Sequence, residues 1–197
     1  IPYGGRALHR PTEHMKKIFG DNFFYILYFQ EVGLAEQEFD ADIRDSLLRI
    51  YYSLSAEGQE AYLQFISSRT HQKIKGYLDM TVVPDVLPDW LQEEDLDYYS
   101  SRYEKEGFRP ILNWYRNLDL YWDRSAHLVG KKISQPTYFI AGKNDPTTHM
   151  VRKAIDRLPQ VVEDLRGIEF LADCGHWIPC EQKDVLNQRL LDFIKTV

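Results

Sequence analysis

The chain has 197 residues, enough for one or two domains, and its 44% hydrophobic and 27% charged content is that of a globular protein in water. A net charge of −6 excludes a general nucleic-acid binder, which needs a basic stripe. No apolar run approaches the ~20 residues of a membrane span, so no membrane association is expected. The two cysteines, Cys174 and Cys180, suit free thiols in a reducing compartment, and a cytoplasmic location is expected. With His176 between them they fall short of the four ligands of a structural zinc site, so no metal is expected.

Taken in chain order, residues 1–10 read as a strand exit and connector. Ile1-Pro2-Tyr3-Gly4-Gly5-Arg6 resembles the middle of a protein, a strand end running into a Gly-Gly turn. From Pro11 to about Trp122 the periodicity is helical. Thr12 to Phe19 is predicted as a short helix stopped by Gly20. Asp21 to Gln30 is densely apolar and aromatic. Ala35 to Leu54 carries Phe39, Ile43, Leu47 and Leu48 near helical spacing, and Ser55 to Lys75 reads as polar and irregular. Pro84 and Pro88 bracket a turn. Leu91 to Gly107 is predicted as a helix capped by Asp89, and another begins near Pro110 and runs to Leu118.

After about Gly130 the texture changes. A strand at 136–141, a helix at about 149–158, a strand at 167–172 and a helix at 183–195 alternate, the signature of a parallel sheet with crossover helices. The last helix places Val185, Leu186, Leu190, Phe193 and Ile194 on one stripe, which expects a larger sheet face than two strands supply. Further strands are therefore expected on the N-terminal side.

Two residues sit just past strand ends, where open α/β sheets present ligand-contacting groups: Asp145, in Gly142-Lys143-Asn144-Asp145, and His176, in Asp173-Cys174-Gly175-His176-Trp177. A carboxylate on one imidazole nitrogen fixes the tautomer and steadies the cation formed at the other. For Asp145 the plain alternative is a turn residue before Pro146, and for His176 a structural histidine. Tyr25 and Tyr115 lie on separate helical segments. A tyrosine hydroxyl is a neutral donor near pH 7, and two donors on one oxygen would stabilise developing charge. Periodicity alone favours core aromatics at both positions. Trp114, Trp177 and Phe29 are candidates to line an apolar pocket, with packing the competing account.

Tyr25-Ile26-Leu27-Tyr28-Phe29-Gln30-Glu31, Asn113-Trp114-Tyr115-Arg116-Asn117, Gly142-Lys143-Asn144-Asp145 and Asp173-Cys174-Gly175-His176-Trp177 together resemble the soluble epoxide hydrolases of the α/β-hydrolase fold, in the right order and over essentially the whole chain. Leu87-Pro88-Asp89-Trp90-Leu91 to Gly107-Phe108-Arg109 also looks like their cap. The resemblance implies a helical cap at 11–128, followed by the C-terminal part of the α/β core at 129–197. It implies that His176 activates water, that Asp145 orients His176, and that Tyr25 and Tyr115 grip an epoxide oxygen. The family's nucleophile is an Asp upstream of the cap, and no residue here matches it. It is expected on an N-terminal portion, as a separate chain or a missing segment, so this chain alone is expected to be inactive. No cofactor is implied; the partners are an apolar epoxide and water. Haloalkane and haloacid dehalogenases, serine hydrolases of the same fold and a non-catalytic binding fragment are the rival readings, and a homodimer is left open.

Overall fold

A computed structural model describes residues 6–67 and 74–197. The expectations placed on residues 1–5 and 68–73 lie outside them. Among the described residues eight α-helices come first: α1 (Pro11–Phe19), α2 (Tyr25–Tyr28), α3 (Leu34–Phe39), α4 (Ile43–Leu54), α5 (Gln59–Ser67), α6 (Glu93–Glu106), α7 (Arg109–Arg116) and α8 (Leu118–Arg124). An α/β region follows, with β1 (Thr137–Gly142), α9 (Pro146–Asp156), α10 (Leu158–Val161), β2 (Leu165–Leu171), α11 (Ile178–Glu181) and α12 (Lys183–Ile194).

Local chemistry explains several boundaries that periodicity alone misplaced. The helix expected over 35–54 is two helices. Asp42 breaks it, because its side chain accepts the Asp45 amide at 2.9 Å and so caps α4. The stretch from Ser55 is less irregular than expected. Ser55 Oγ accepts the Gly58 amide at 3.2 Å, and α5 starts on the Ser55 carbonyl. Asp89 does not cap α6. Gln92 precedes the helix, and the Asp95 carboxylate reaches back to accept the Gln92 amide at 3.0 Å, half of a capping box. α1 ends at Gly20 as expected, with φ 54°.

The helical region packs around Phe29, Phe39, Leu47, Leu91, Leu96, Phe108 and Leu112, all buried. The two strands pair in parallel, with Tyr138 opposite Gly167 and Gly142 opposite Leu171. α9 and α10 make the crossover, and Ile155, Leu158 and Val162 form a small second core beneath it. α12 buries no residue fully, so its apolar stripe lacks the broad sheet face the pattern called for. No described helix is long and apolar enough to cross a membrane.

Candidate active site

Asp145 and His176 meet. Oδ2 of Asp145 lies 3.0 Å from Nδ1 of His176, and a carboxylate only accepts, so Nδ1 carries the proton and Nε2 is left to take one. Both the turn role and the pairing weighed for Asp145 are present. It is the N-cap of α9, its Oδ1 accepting the Thr147 amide at 2.8 Å and its Oδ2 the Thr147 hydroxyl at 3.0 Å. The capping bonds hold the carboxylate in the orientation in which it meets the imidazole. Burial pushes the Asp145 carboxyl up, but the His176 contact and the Thr147 donors outweigh it, and the group ends below its ordinary value.

The histidine loop is built tightly. Lys143 donates its amide to the Leu171 carbonyl at 2.8 Å and Asn144 to the Cys174 carbonyl at 2.9 Å, which draws the two strand exits together. A Cβ at Gly142 would come within 2.0 Å of the Gly175 carbonyl oxygen, so only glycine fits beneath the loop. On its other side the loop finishes α4. The last carbonyls of a helix lack internal partners; here Leu54 accepts the His176 amide at 2.9 Å and Tyr51 accepts the Trp177 indole N–H at 2.8 Å. His176 therefore hangs between the strand ends and the end of α4.

Tyr25 and Tyr115 also meet, edge to face, with ring centroids 5.9 Å apart. Burial raises both hydroxyls above their ordinary range, so both remain neutral donors, and at Tyr25 the neighbouring Tyr115 and Tyr62 phenols and the Asp145 carboxylate add to the rise. Two side chains fix the spacing of the segments that bear them. Gln30 Nε2 donates to the Ile26 carbonyl at 2.9 Å and the Tyr115 carbonyl at 3.0 Å. Arg116 donates through Nε to the Phe29 carbonyl at 2.8 Å and through both terminal nitrogens to the Glu36 carboxylate at 2.6 and 2.8 Å. Held by Arg116, the buried Glu36 carboxyl is pulled down to about 2.

The apolar candidates fare differently. Trp177 packs on His176, ring centroids 4.9 Å apart at 90°, and on Tyr51 at 4.3 Å. Phe29 is 5% exposed, with its ring against both Tyr25 and Tyr115, a supporting position under them rather than an open wall. Trp114 is 69% exposed and the structure does not bring it into the group, because neighbouring positions on α7 point about 100° apart. Sequence reasoning missed Tyr77, buried with its ring 5.9 Å from Tyr25, and Glu181, whose carboxylate gathers backbone amides around the histidine loop. Neither stands in a periodic pattern that marks it. Among the described residues no three His, Cys, Asp or Glu side chains are grouped to hold a metal ion.

No family model matches the chain. Epoxide hydrolase A of Mycobacterium tuberculosis is 36% identical over 195 residues, covering 98% of this chain and 59% of the relative. Epoxide hydrolase 1 of Siraitia grosvenorii is 30% identical over 191 residues, covering 94% and 56%. Among solved structures, epoxide hydrolase A from Mycobacterium thermoresistibile superposes with a TM-score of 0.88 at 36% identity, over 99% of this chain and 59% of that one. An epoxide hydrolase from an endophytic Streptomyces gives 0.89 at 35%, over 99% and 58%. The chain thus spans about three fifths of the length of the first curated relatives it matches. With the similarity covering 98% of its length, the chain belongs, as a partial chain, to the epoxide hydrolases of the α/β-hydrolase family.

Proposed function

We propose that this chain supplies the water-activating and oxygen-gripping halves of an epoxide hydrolase, with residues 11–128 acting as the cap and 129–197 as the C-terminal part of the core. The observation that carries the reading is that two independent pairs form: Asp145 with His176 at 3.0 Å, and Tyr25 with Tyr115 at 5.9 Å between rings. Trp177, which packs on His176, rests against the same core as Tyr25 and Tyr115, which ties the pairs to one neighbourhood.

The reaction uses them in sequence. An aspartate outside these 197 residues attacks an epoxide carbon, and the ring C–O bond breaks as the C–O ester bond forms. The negative charge goes to the former ring oxygen, where the Tyr25 and Tyr115 hydroxyls donate. His176 Nε2 then removes a proton from water, which adds to the ester carbonyl. The departing diol oxygen takes that proton back from His176, and the new carboxylic acid gives up its own proton as the former ring oxygen gains one, which yields the diol and restores the aspartate. Asp145 steadies the imidazolium in between. Splitting one difficult displacement into two easier steps is the gain from the covalent ester. The aromatic surroundings suit an apolar epoxide. The pair of phenolic donors favours epoxide over the halide of a dehalogenase.

In the full-length protein, His176→Gln is expected to accumulate the ester under substrate, seen by intact-mass spectrometry as an adduct of one substrate mass. An absent adduct would overturn the assignment of His176 as the hydrolytic base. Diol formation by the 197 residues alone would overturn the placement of the nucleophile outside them.

A further inference from the structure

Glu181 lies five positions after His176, at the end of the one-turn helix α11. Its donors in the structure are all backbone amides. Oε2 accepts Gly175 N–H at 2.8 Å and Ala56 N–H at 2.9 Å; Oε1 accepts Trp177 N–H at 2.9 Å. Gly175 and Trp177 flank His176, whose own amide goes to the Leu54 carbonyl at 2.9 Å. Three consecutive amides are therefore fixed, and one carboxylate holds the outer two. The third donor, Ala56, belongs to the helical region, just past the end of α4. The contact is close: a Cβ on Gly175 would lie 2.5 Å from the Ala56 nitrogen and 2.6 Å from the Leu54 oxygen. One side chain thus joins the histidine loop to the element on which that loop rests.

We propose that Glu181 is a positioning residue for His176, fixing the imidazole relative to the helical region so that ester hydrolysis, and not ring opening, depends on it. The inference rests on the function proposed above. Ring opening draws on Tyr25 and Tyr115, which are held by Gln30, Arg116 and Glu36. Glu181 touches none of these. Hydrolysis draws on His176, whose backbone Glu181 encloses.

Glu181→Gln tests this with little change of shape. A carboxamide keeps one oxygen and turns its NH2 toward an amide N–H formerly accepted, so a donor faces a donor. Ala56→Pro is a second, independent variant: proline lacks the Ala56 N–H and sets its ring Cδ where that hydrogen pointed, so the Glu181 carboxylate must leave Ala56. Ser55, at ψ 170°, already has the extended conformation that a following proline requires.

In single-turnover experiments on the full-length enzyme, Glu181→Gln is expected to form the ester at the parental rate. Its breakdown should slow by about 10²-fold, the cost of displacing a reacting group by roughly 1 Å. Ala56→Pro should show the same split at smaller size. Hydrogen exchange at the Gly175 and Trp177 amides should accelerate in Glu181→Gln whether or not the enzyme turns over. Parental ester breakdown in both variants, or formation and breakdown slowed equally, would overturn the role of Glu181. A parent enzyme that makes no diol from any epoxide would instead overturn the proposed function, and the exchange result would still stand or fall by itself.

Discussion

The helical region and the α/β region treat their apolar residues in opposite ways. In the helical region Phe39, Leu91, Leu96 and Leu112 are almost wholly buried in one aromatic-rich cluster. In the α/β region the buried apolar cluster is small, Ile155 with Leu158 and Val162, while Leu190, Leu191 and Ile194 on α12 stand 47%, 54% and 61% exposed. An amphipathic pattern reports which face a helix would bury, and not how much partner surface the described residues provide. The proposed catalytic labour divides along the same line. The phenols of Tyr25 and Tyr115 come from the helical region, while the hydrogen-bonded pair, Asp145 and His176, comes from the α/β region.

That division is most exposed to failure at Asp145. Asp145→Asn in the full-length enzyme removes the acceptor that sets the His176 tautomer, and turnover should fall by about 10⁴-fold, as when a triad carboxylate is replaced by its amide. A steady-state assay decides it, and a loss below tenfold would separate Asp145 from the chemistry. Next in size is packing. Leu96→Ala should lower the stability of the chain by about 2–5 kcal/mol, the cost of a core cavity. Leu190→Ala on α12 should change it by no more than about 0.5 kcal/mol, as at other exposed sites. Urea unfolding of the two variants side by side measures the difference, and equal losses would erase the contrast between the regions.

Tyr115→Phe sharpens the division of labour. It should slow ring opening at a cost of about 2–4 kcal/mol, the range for one oxyanion donor, and leave hydrolysis of a preformed ester unchanged. A further effect is read against pH. Arg116 holds the folded Glu36 carboxyl at about 2 against an ordinary 4.5. A depressed carboxyl adds stability above its ordinary value and loses it as pH falls through the folded value. Glu36→Gln should therefore be less stable than the parent at pH 7, with the gap closing between pH 4.5 and about 2. Thermal melts across that window should show the two curves converging, and a constant offset would mean that Glu36 and Arg116 do not act as a charged pair.

Much of the site was legible in the sequence because strand ends are easy to find. Asp145 and His176 follow two apolar runs and the structure brings them to 3.0 Å. The alternation of strands and helices after Gly130 was equally clear, and β1 and β2 do pair in parallel. What escaped were contacts made by single polar atoms. Asp42 divides a continuous periodic pattern by one hydrogen bond to Asp45. Asp95 displaces Asp89 as the residue that shapes the start of α6. Glu181 acts through amides supplied from two distant stretches, and no spacing rule announces that. Trp114 shares a motif with Tyr115 but not its direction, since adjacency along a helix separates side chains rather than uniting them.

The capping of α9 by Asp145 joins catalysis to local melting. Thr147 donates twice to the carboxylate that also receives His176, so the first turn of α9 and the imidazole share one anchor. Each time that turn frays, the anchor loosens and His176 loses its orienting partner. Under the proposed mechanism, the fraction of molecules ready to hydrolyse an ester is then bounded by a helix-end opening equilibrium, whose free energy amide exchange at Thr147 reads directly. Substitutions that merely stiffen the start of α9, far from any reacting atom, would thereby raise the share of time the enzyme spends armed.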